Sequence, residues 1–392
     1  MMSRFPRLQR VWHLAAMAVT ARGLTADHAS HGPLYAQVGI CDPCDHRCVM
    51  CPYHPPSEER APLEQFGGRP PGIMSLATFE KLMDELASLG TRRVDLVGRG
   101  EPLLSPDVIA MIQSAKQRGM DVTMISNGSR LTRLADALAG SGLDRLRISL
   151  DAATAETYDG VHVGEGASYA RVLEGIRRVV EVRRGSAPHV SLSFTLGALN
   201  HHELVEMVET SARVGADGAH FQHVLPLGPD ASATALSDAA RKDLGRMLDV
   251  ARRRARALGL ETNLRTFAAS EPAVPSGREV VPCYVGAYFT VVLGNGHVMP
   301  CCQGELPVGS LHEHEFGEVW NDRPYRAFRR AARNLPRPDP ALATCACDRC
   351  YFRAHNVTVH NVLHPLSVIR DERPEALLSV DHLLRMSRAD RR

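Results

Sequence analysis

The stretch Cys44-Asp-His-Arg-Cys48-Val-Met-Cys51 carries the strongest structural signal in this chain. Its cysteines have three and two residues between them and directly follow the apolar run 34–40, which we predict to be the first strand. The chain shows neither a convincing secretory signal nor a run of about 20 apolar residues, which a membrane span needs. We therefore expect a cytoplasmic protein, in which clustered cysteines are typically metal ligands or catalytic thiols rather than disulfides.

Three thiolates on one short loop favour an iron–sulfur cluster. A [4Fe-4S] cluster usually takes four cysteine ligands, so a loop with three of them leaves one iron open to a substrate or cofactor. The alternative is a zinc knuckle in which His46 or His54 supplies the fourth ligand. Cys41 lies three residues before the motif and does not belong to its spacing.

Beyond residue 70, short apolar runs alternate with longer amphipathic segments, which is typical of repeated βα units. The predicted strands are 34–40, 94–97, 122–126, 147–150, 190–196 and 218–224. The predicted crossover helices are 76–89, 106–118, 131–139, 170–183, 202–214 and 238–258. Six such units predict an α/β fold, a partial (βα)6 TIM-like barrel followed by a small cysteine-rich domain.

The alternation breaks at 271–282, which contains three prolines, and six of the ten cysteines lie beyond it. Asn295-Gly296 predicts a hairpin between 288–292 and 297–300, and a helix is expected over 318–333. The sequence thus predicts four regions. They are an N-terminal helical extension over 1–33, the barrel over 34–270, the cysteine-rich domain over 271–360 and a tail over 361–392.

The cysteine loop resembles that of the radical S-adenosylmethionine (radical SAM) superfamily, in which a CxxxCxxC loop follows the first barrel strand. Four further segments match the family in order. Gly98-Arg-Gly-Glu-Pro102 resembles its Gly-Gly-Glu-Pro motif with Arg99 in place of the first glycine, and Ser126-Asn127-Gly128 resembles its Thr-Asn-Gly. The segments 148–151 and 199–200 resemble its ribose-binding and adenine-binding positions. The cofactor-binding residues that the resemblance implies are Met50, Gly98, Gly100, Glu101, Pro102, Ser126, Asn127, Ser149, Asp151 and Asn200.

The resemblance also implies a mechanism. Cys44, Cys48 and Cys51 would hold a [4Fe-4S] cluster that cleaves S-adenosylmethionine reductively, and the resulting 5′-deoxyadenosyl radical would abstract hydrogen from a substrate. An electron donor such as flavodoxin or ferredoxin is implied as a partner. Individually, a glycine or aspartate after a strand is as readily a turn or a helix cap, but the ordered recurrence of these motifs favours the family.

The later cysteines resemble the auxiliary-cluster extension called the SPASM or twitch domain. It starts with a cysteine, a Gly-x₄-Cys and a returning CxxC, and the ligands implied here are Cys283, Cys301, Cys347 and Cys350. No cysteine follows Cys350, so we predict one auxiliary [4Fe-4S] cluster in a shortened domain; a zinc ribbon is the alternative. Cys302 or Cys345 can replace a neighbour in this set. We also predict Cys302 as the catalytic hydrogen-atom donor.

The sequence favours a carbohydrate-like small-molecule substrate. The predicted function is an epimerase or dehydrogenase of a sugar or aminocyclitol in natural-product biosynthesis, with His162, His220, Gln222 and His223 as polar candidates at the barrel mouth. Ribosomal-peptide maturation is the alternative, although only 43 residues precede Cys44 for a peptide-recognition domain. A non-enzymatic iron–sulfur or zinc protein is a remote one. A net charge of +2 gives no support for nucleic acid or membrane as a partner.

Overall fold

The computed structural model describes residues 26–57, 72–163, 168–224, 234–267, 280–302, 304–345, 347, 350, 352–364 and 369. Most of the predicted N-terminal extension over 1–33 and of the tail over 361–392 lies outside these residues, as does most of the proline-containing segment 271–282. Within the described residues, no helix is both long enough and apolar enough to cross a lipid bilayer.

Strands and helices alternate along most of the chain. The strands are β1 Tyr35–Val38, β2 Arg47–Cys48, β3 Arg93–Leu96, β4 Asp121–Ser126, β5 Arg145–Ser149, β6 His162–Val163, β7 His189–Leu196, β8 Gly218–His223, β9 Glu261–Thr262, β10 Phe289–Val292, β11 His297–Met299 and β12 Gly309–Ser310. The helices are α1 Leu76–Ser88, α2 Val108–Gln117, α3 Leu131–Gly140, α4 Ala155–Val161, α5 Tyr169–Val182, α6 Leu204–Arg213, α7 Asp238–Leu258, α8 Leu264–Phe267, α9 Phe316–Asn321, α10 Arg323–Arg333 and α11 Arg353–Leu363.

The main sheet has the strand order β12-β11-β10-β1-β3-β4-β5-β7-β8-β9. From β10 to β9 all neighbours run parallel, whereas β11 and β12 are antiparallel additions at one edge. Helices α1, α2, α3, α5 and α6 connect successive parallel strands, as parallel pairing requires. The predicted α/β partial barrel is confirmed, and its six strands and six helices lie within two residues of their predicted bounds.

The core lies between the sheet and its helices. Alternate strand residues such as Val94, Ile148 and Phe194 are fully buried against helix residues such as Phe79 and Ile176. Burial of this kind contributes roughly 1.5–3 kcal/mol for each large apolar side chain. Because neighbouring residues on a strand point to opposite faces, the other set of alternate residues faces the inside of the barrel.

The cysteine-rich region extends the same sheet. The predicted hairpin is confirmed as β10 and β11, with Gly296 at φ +81° in its turn. The sequence did not indicate that β10 pairs in parallel with β1, with Tyr35 opposite Phe289.

The predicted single helix over 318–333 is wrong, because two helices meet at Asp322. This residue has an extended backbone, and its carboxylate caps α10 by accepting from the N–H of Arg323 at 2.7 Å. Pro324 follows, and its ring cannot continue a preceding helix.

Candidate active site

The cysteine loop follows β1 and presents three half-buried thiols. The N–H of Cys51 donates to the carbonyl of Cys48 at 2.9 Å, which closes a tight turn. Burial, and secondarily the neighbouring thiols, raises the pKa of Cys48, and burial raises that of Cys44 to about 12. Thiolates at these positions therefore need a nearby positive charge, which an iron cluster supplies. The donor set fits such a cluster.

Two residues of the Gly98–Pro102 segment, Gly100 and Glu101, contact the backbone just before Cys44. A Cβ atom on Gly100 would lie 2.2 Å from the carbonyl oxygens of both Asp42 and Pro43, so only glycine fits there. The N–H of Glu101 donates to the carbonyl of Pro43 at 2.9 Å. Gly98 lies in similar contact with Gly39, since its Cβ would be 2.7 Å from that Cα atom.

Glu101 connects two strand ends through its buried carboxylate. It accepts hydrogen bonds from Ser126 Oγ at 2.8 Å and from the N–H of Asn127 at 2.6 Å. It also accepts from the N–H of Leu103 at 2.8 Å, where Pro102 opens a short 3₁₀ turn. Burial raises the pKa of Glu101 to about 7 against the lowering effect of these donors.

Asp45, inside the cysteine loop, binds the end of β4. Asn127 Nδ2 donates to Asp45 Oδ1 at 2.8 Å, and Ser129 Oγ donates to Asp45 Oδ2 at 2.7 Å. Asn127 Nδ2 also lies 3.8 Å from Cys44 Sγ. The Ser126-Asn127 segment is thereby in direct contact with the cysteine loop.

On the other side of the mouth, Asp151 and Asn200 meet. Asp151 has the strained backbone angle φ +55°, and its Oδ1 accepts from the N–H of Thr195 at 2.5 Å. Burial raises the pKa of Asp151 to about 7. Asn200 Nδ2 donates to the carbonyl of Asp151 at 2.7 Å, and its Oδ1 accepts from the N–H of Gly197 at 2.8 Å. Asn200 thus orders the backbone around Asp151, while Ser149 is half-buried beside them.

His162 lies against a cysteine of the loop rather than at the open mouth. In the small ladder of β2 and β6 it is directly opposite Cys48, and its Nδ1 is 3.0 Å from Cys48 Sγ. Its Nε2 is 3.1 Å from the carbonyl of Leu150. Burial, and then His46, lowers the pKa of His162 to about 3, so the ring is neutral. Ligand atoms of His46, Cys48 and His162 lie within 4.8 Å of one another.

Arg99 joins the cysteine loop to the cysteine-rich region. Its guanidinium lies 5.1 Å from the ring centre of Tyr53, a cation–π contact, and forms an ion pair with Glu305. Only 10% of the Arg99 side chain is exposed. Burial raises the pKa of Tyr53, Arg99 opposes this, and the charges of Glu305, Cys302 and Cys51 raise the pKa further.

The inside of the barrel is polar. The alternate residues that face it on three strands are Arg147, Ser149, Ser191, Ser193, Thr195, His220 and Gln222. Burial, and then Arg147, lowers the pKa of His220 to about 4, so its neutral ring can both donate and accept a hydrogen bond. Gln222 Nε2 donates to Thr195 Oγ1 at 3.0 Å, and His223 stacks on Phe267 with ring centres 4.4 Å apart.

The second cysteine group lies around Cys283 and Cys350. Cys283, Cys302, Cys345 and Cys350 pack against one apolar cluster. Burial raises the pKa of Cys350, and the charges of Cys283, Cys347 and Cys302 raise it further. Cys345 forms a side-chain hydrogen bond with Cys347. Cys301 is buried, 8% exposed.

Three contacts of these sites were not predicted from the sequence. They are His162 to Cys48, Asp45 to the end of β4, and Asn356 on α11, whose Nδ2 lies 3.3 Å from Cys283 Sγ. Asn356 follows the last cysteine, and no motif marks it. Of the residues in these contacts that are not cysteines, only Asp45 has a position in the sequence, directly after Cys44, that indicates its place beside the cysteine loop.

Comparison with known families identifies both regions. The model of the radical SAM superfamily matches residues 40–210, and that of the SPASM iron–sulfur cluster-binding domain matches residues 283–351. The chain therefore contains a radical SAM domain over residues 40–210 and a SPASM-type iron–sulfur cluster-binding domain over residues 283–351. These two domains imply S-adenosylmethionine, a [4Fe-4S] cluster and an auxiliary cluster as cofactors.

Among curated proteins, the chain is 28% identical to the AdoMet-dependent heme synthase of Methanosarcina barkeri over 322 residues, 74% of this chain and 85% of that protein. It is 36% identical to a probable GTP 3′,8-cyclase of Saccharolobus islandicus over 142 residues, 36% of this chain and 44% of the cyclase. Among solved structures, Streptococcus suis SuiB bound to S-adenosylmethionine has a TM-score of 0.61 at 16% identity, covering 90% of this chain and 81% of SuiB. This last likeness concerns the fold.

Proposed function

We propose that the chain cleaves S-adenosylmethionine reductively at the barrel mouth and abstracts hydrogen from a polar small molecule held inside the barrel. The reaction is epimerisation or dehydrogenation of a sugar or aminocyclitol in natural-product biosynthesis. The observation that carries the first part is the hydrogen-bond network from Glu101 and Asp45 to Ser126 and Asn127, because it joins the strand-end motifs to the cysteine loop.

In this proposal Cys44, Cys48 and Cys51 hold the radical SAM cluster, and the residues of the strand-end motifs surround the cofactor. When bound, the reduced cluster and S-adenosylmethionine supply the 5′-deoxyadenosyl radical that abstracts hydrogen from the substrate. The chain's own residues bind, orient and exclude water. Gly100 allows the loop to approach the sheet, and Glu101 fixes the backbone of Asn127 next to Cys44.

The polar inner face supports a substrate rich in hydroxyl groups. Neutral His220, together with Thr195 and Gln222, offers both donors and acceptors, which suits hydroxyl groups because these also donate and accept. Arg147, beside His220, offers donors to a hydroxyl or an anionic substituent. His220, Thr195 and Gln222 can therefore bind such a molecule in their neutral forms near neutral pH.

The second cysteine group completes the proposal. Cys283, Cys301, Cys347 and Cys350 would hold one auxiliary [4Fe-4S] cluster. In a dehydrogenation this group would supply the acceptor for one electron from the substrate radical, and the proton would pass to solvent. In an epimerisation, Cys302 would donate a hydrogen atom to the substrate radical instead, and one electron from the external electron donor and one proton from solvent would restore the thiol. Cys302 packs against the same apolar cluster as Cys283 and Cys350, which supports a position beside the auxiliary ligands.

A carboxylate-bearing substrate is the second candidate. The likeness to an AdoMet-dependent heme synthase covers most of both chains, and Arg99 brings a largely buried guanidinium to the mouth, where the superfamily motif has glycine. A substrate carboxylate would replace the exposed Glu305 as its partner.

The test uses anaerobically reconstituted full-length protein with dithionite and S-adenosylmethionine. We expect 5′-deoxyadenosine from the unsubstituted chain and none from the Cys44→Ala/Cys48→Ala/Cys51→Ala variant, with iron falling from about eight to about four per chain. Cys41→Ala is the matched control, because this buried thiol lies beside the motif without belonging to it. An iron-loaded protein that never releases 5′-deoxyadenosine would contradict the proposal.

The substrate class is then tested with three panels: sugars and aminocyclitols, porphyrin carboxylates, and peptides. A sugar or aminocyclitol that increases 5′-deoxyadenosine release supports the first candidate, and activity confined to peptides supports maturation instead. Product formed in D₂O with one new deuterium indicates epimerisation. In that case Cys302→Ala should retain cofactor cleavage but lose deuterium incorporation, whereas Cys345→Ala should retain both.

A further inference from the structure

Asn356 on α11 lies against the auxiliary cysteines. It is 1% exposed, and its Nδ2 is 3.3 Å from Cys283 Sγ. Its Oδ1 accepts a hydrogen bond from the N–H of Tyr284 at 2.9 Å. Because a backbone N–H can bond only to the amide oxygen, this contact fixes the orientation of the side chain, and the NH₂ group must face the sulfur.

Helix α11, which carries Asn356, is also held in place by hydrogen bonds. The N–H of Asn356 donates to the carbonyl of Phe352 at 2.9 Å within α11. One turn further along the helix, His360 Nδ1 lies 2.9 Å from the Tyr284 hydroxyl oxygen, so a second contact holds α11 to the residue after Cys283. Asn356 and His360 lie four positions apart and therefore on the same face of the helix.

An amide N–H that points at a cysteine sulfur has a predictable effect on a cluster bound there. Reduction adds negative charge to the cluster and its thiolates, so a hydrogen bond to sulfur stabilises the reduced state more than the oxidised one. Hydrogen bonds to the sulfur atoms are among the factors that set iron–sulfur potentials. The donor should therefore raise the reduction potential.

We infer that Asn356 is a positioning residue of the auxiliary cluster, which donates a hydrogen bond to the Cys283 thiolate and raises the reduction potential of that cluster. The inference rests on the proposed assignment of Cys283 as a cluster ligand. It adds to the auxiliary site a residue that lies beyond the SPASM match at 283–351. A higher potential makes the cluster a better electron acceptor, as dehydrogenation would require.

The test is a redox titration monitored by EPR spectroscopy. It uses the reconstituted full-length chain with Cys44→Ala/Cys48→Ala/Cys51→Ala, so that only the auxiliary cluster contributes to the EPR signal. Asn356→Asp keeps an oxygen to accept from Tyr284 but replaces the donor with a carboxylate oxygen. We expect at least a tenfold lower reduced-to-oxidised ratio at a fixed potential, which is about 59 mV for a one-electron couple. An auxiliary cluster with the potential of the parent chain would overturn the inference.

Asn361→Asp is the matched control on the same helix. Its side chain bonds the backbone of Ile369, at 3.0 and 2.8 Å, rather than a cysteine, so we expect the parent potential. A shift as large as that of Asn356→Asp would mean that charge on α11 acts without the hydrogen bond, and would overturn the inference.

A measurement on the Cys44→Ala/Cys48→Ala/Cys51→Ala chain with Asn356 intact, which lacks the cluster beside Asn127, covers the case in which Asn356→Asp does not fold. Pulsed EPR on reduced protein with ¹⁵N in its asparagine side chains should detect a weak ¹⁵N coupling to the auxiliary cluster, and no coupling would overturn the inference. Cys283→Ala separates this from the proposed function. If it leaves the auxiliary iron unchanged, the ligand assignment fails; if it removes that iron while Asn356→Asp keeps the parent potential, only the role of Asn356 fails.

Discussion

The buried carboxylate of Glu101 joins the ends of β3 and β4. Its two oxygens receive three donors, Ser126 Oγ and the N–H groups of Leu103 and Asn127. Two of these donors are backbone groups that cannot rotate away or become acceptors. The position therefore requires a side chain with acceptors at both oxygen positions, which a carboxylate provides and an amide does not.

Glu101→Gln should therefore destabilise the strand ends at the barrel mouth. Wherever the new NH₂ group lies, it faces the N–H of either Leu103 or Asn127, so one buried donor loses its acceptor. We expect the free energy of unfolding to fall by about 1–3 kcal/mol. We also expect weaker binding of S-adenosylmethionine, because Asn127 supports the cysteine loop. Thermal unfolding and equilibrium binding of the cofactor to reconstituted protein measure the two effects.

Glu203→Gln is the control for this prediction. Glu203 is also buried and accepts from the N–H of Ala153 at 2.7 Å and from the hydroxyls of Thr154 and Thr157, none of which belongs to the cysteine loop. It should lose less stability, because the amide oxygen can still accept from Ala153 while the new NH₂ group donates to the two hydroxyls, and it should keep its cofactor affinity. Equal cofactor affinity in both variants would contradict the role given to Glu101.

The sequence indicated which residues collect at the mouth but not how they bond there. Glu101 and Asn200 were predicted as cofactor-binding residues because their motifs follow successive strands. The structure has most of their polar atoms bonded to the chain itself, which no motif could reveal. The contact of His162 with Cys48 was equally out of reach, because a two-residue ladder has no periodicity and joins positions 114 residues apart.

Where α5 leads into β7, Arg183 and Asp217 tie two strands and a helix together. The Asp217 carboxylate accepts from Arg183 Nη2 at 2.9 Å and from the N–H of Val190 at 2.8 Å. Burial opposes ionisation of Asp217, but the bonds from Arg183 and Val190 outweigh it and lower the pKa of the carboxyl. A lowered folded-state pKa means that the carboxylate stabilises the fold above the unfolded pKa and loses this effect as pH falls through the folded one.

Asp217→Asn should lower the free energy of unfolding by about 1–3 kcal/mol near neutral pH, because hydrogen bonds to a charged acceptor are lost. The difference from the parent chain should shrink as pH falls from about 5 to about 3. Urea unfolding across that range measures it. Asp136→Asn removes the exposed partner of Arg178 and should change stability by less than about 1 kcal/mol. A pH-independent effect of Asp217→Asn would contradict the ionic origin.

Most secondary-structure elements could be predicted because their apolar periodicity matches their geometry. The exception at Asp322 shows the limit of that method. Apolar residues continue through the break, with Trp320 before it and Tyr325 and Phe328 after it, all buried. An amphipathic pattern reports which side chains face the core, but it does not report that a cap and a proline restart the backbone between them.

The assembly of the molecule depends on contacts between distant parts of the chain, and these could not be predicted. Beyond the pairing of β10 with β1, Trp320 Nε1 donates to the carbonyl of His31 at 2.8 Å. Asn321 bonds both backbone groups of Ala29, at 2.8 and 3.0 Å. The helices of the cysteine-rich region thus hold the chain where it enters the barrel. Composition and breaks in periodicity indicate a boundary near residue 271 but carry no signal for pairing across it.

This arrangement predicts that the barrel does not fold separately from the cysteine-rich region. A chain that ends after residue 267 lacks β10, which leaves β1 as an edge strand with unpaired backbone groups, and it lacks the partners of Ala29 and His31. Exposed edges of this kind favour aggregation.

We expect the shortened chain to aggregate on size-exclusion chromatography, while the full chain unfolds in one cooperative calorimetric transition. A chain that ends after residue 369 retains the described sheet and helices and should behave like the full chain. A monomeric shortened chain with the unfolding temperature of the full protein would show instead that the barrel is an independent folding unit and that the β1–β10 pairing forms between two finished domains.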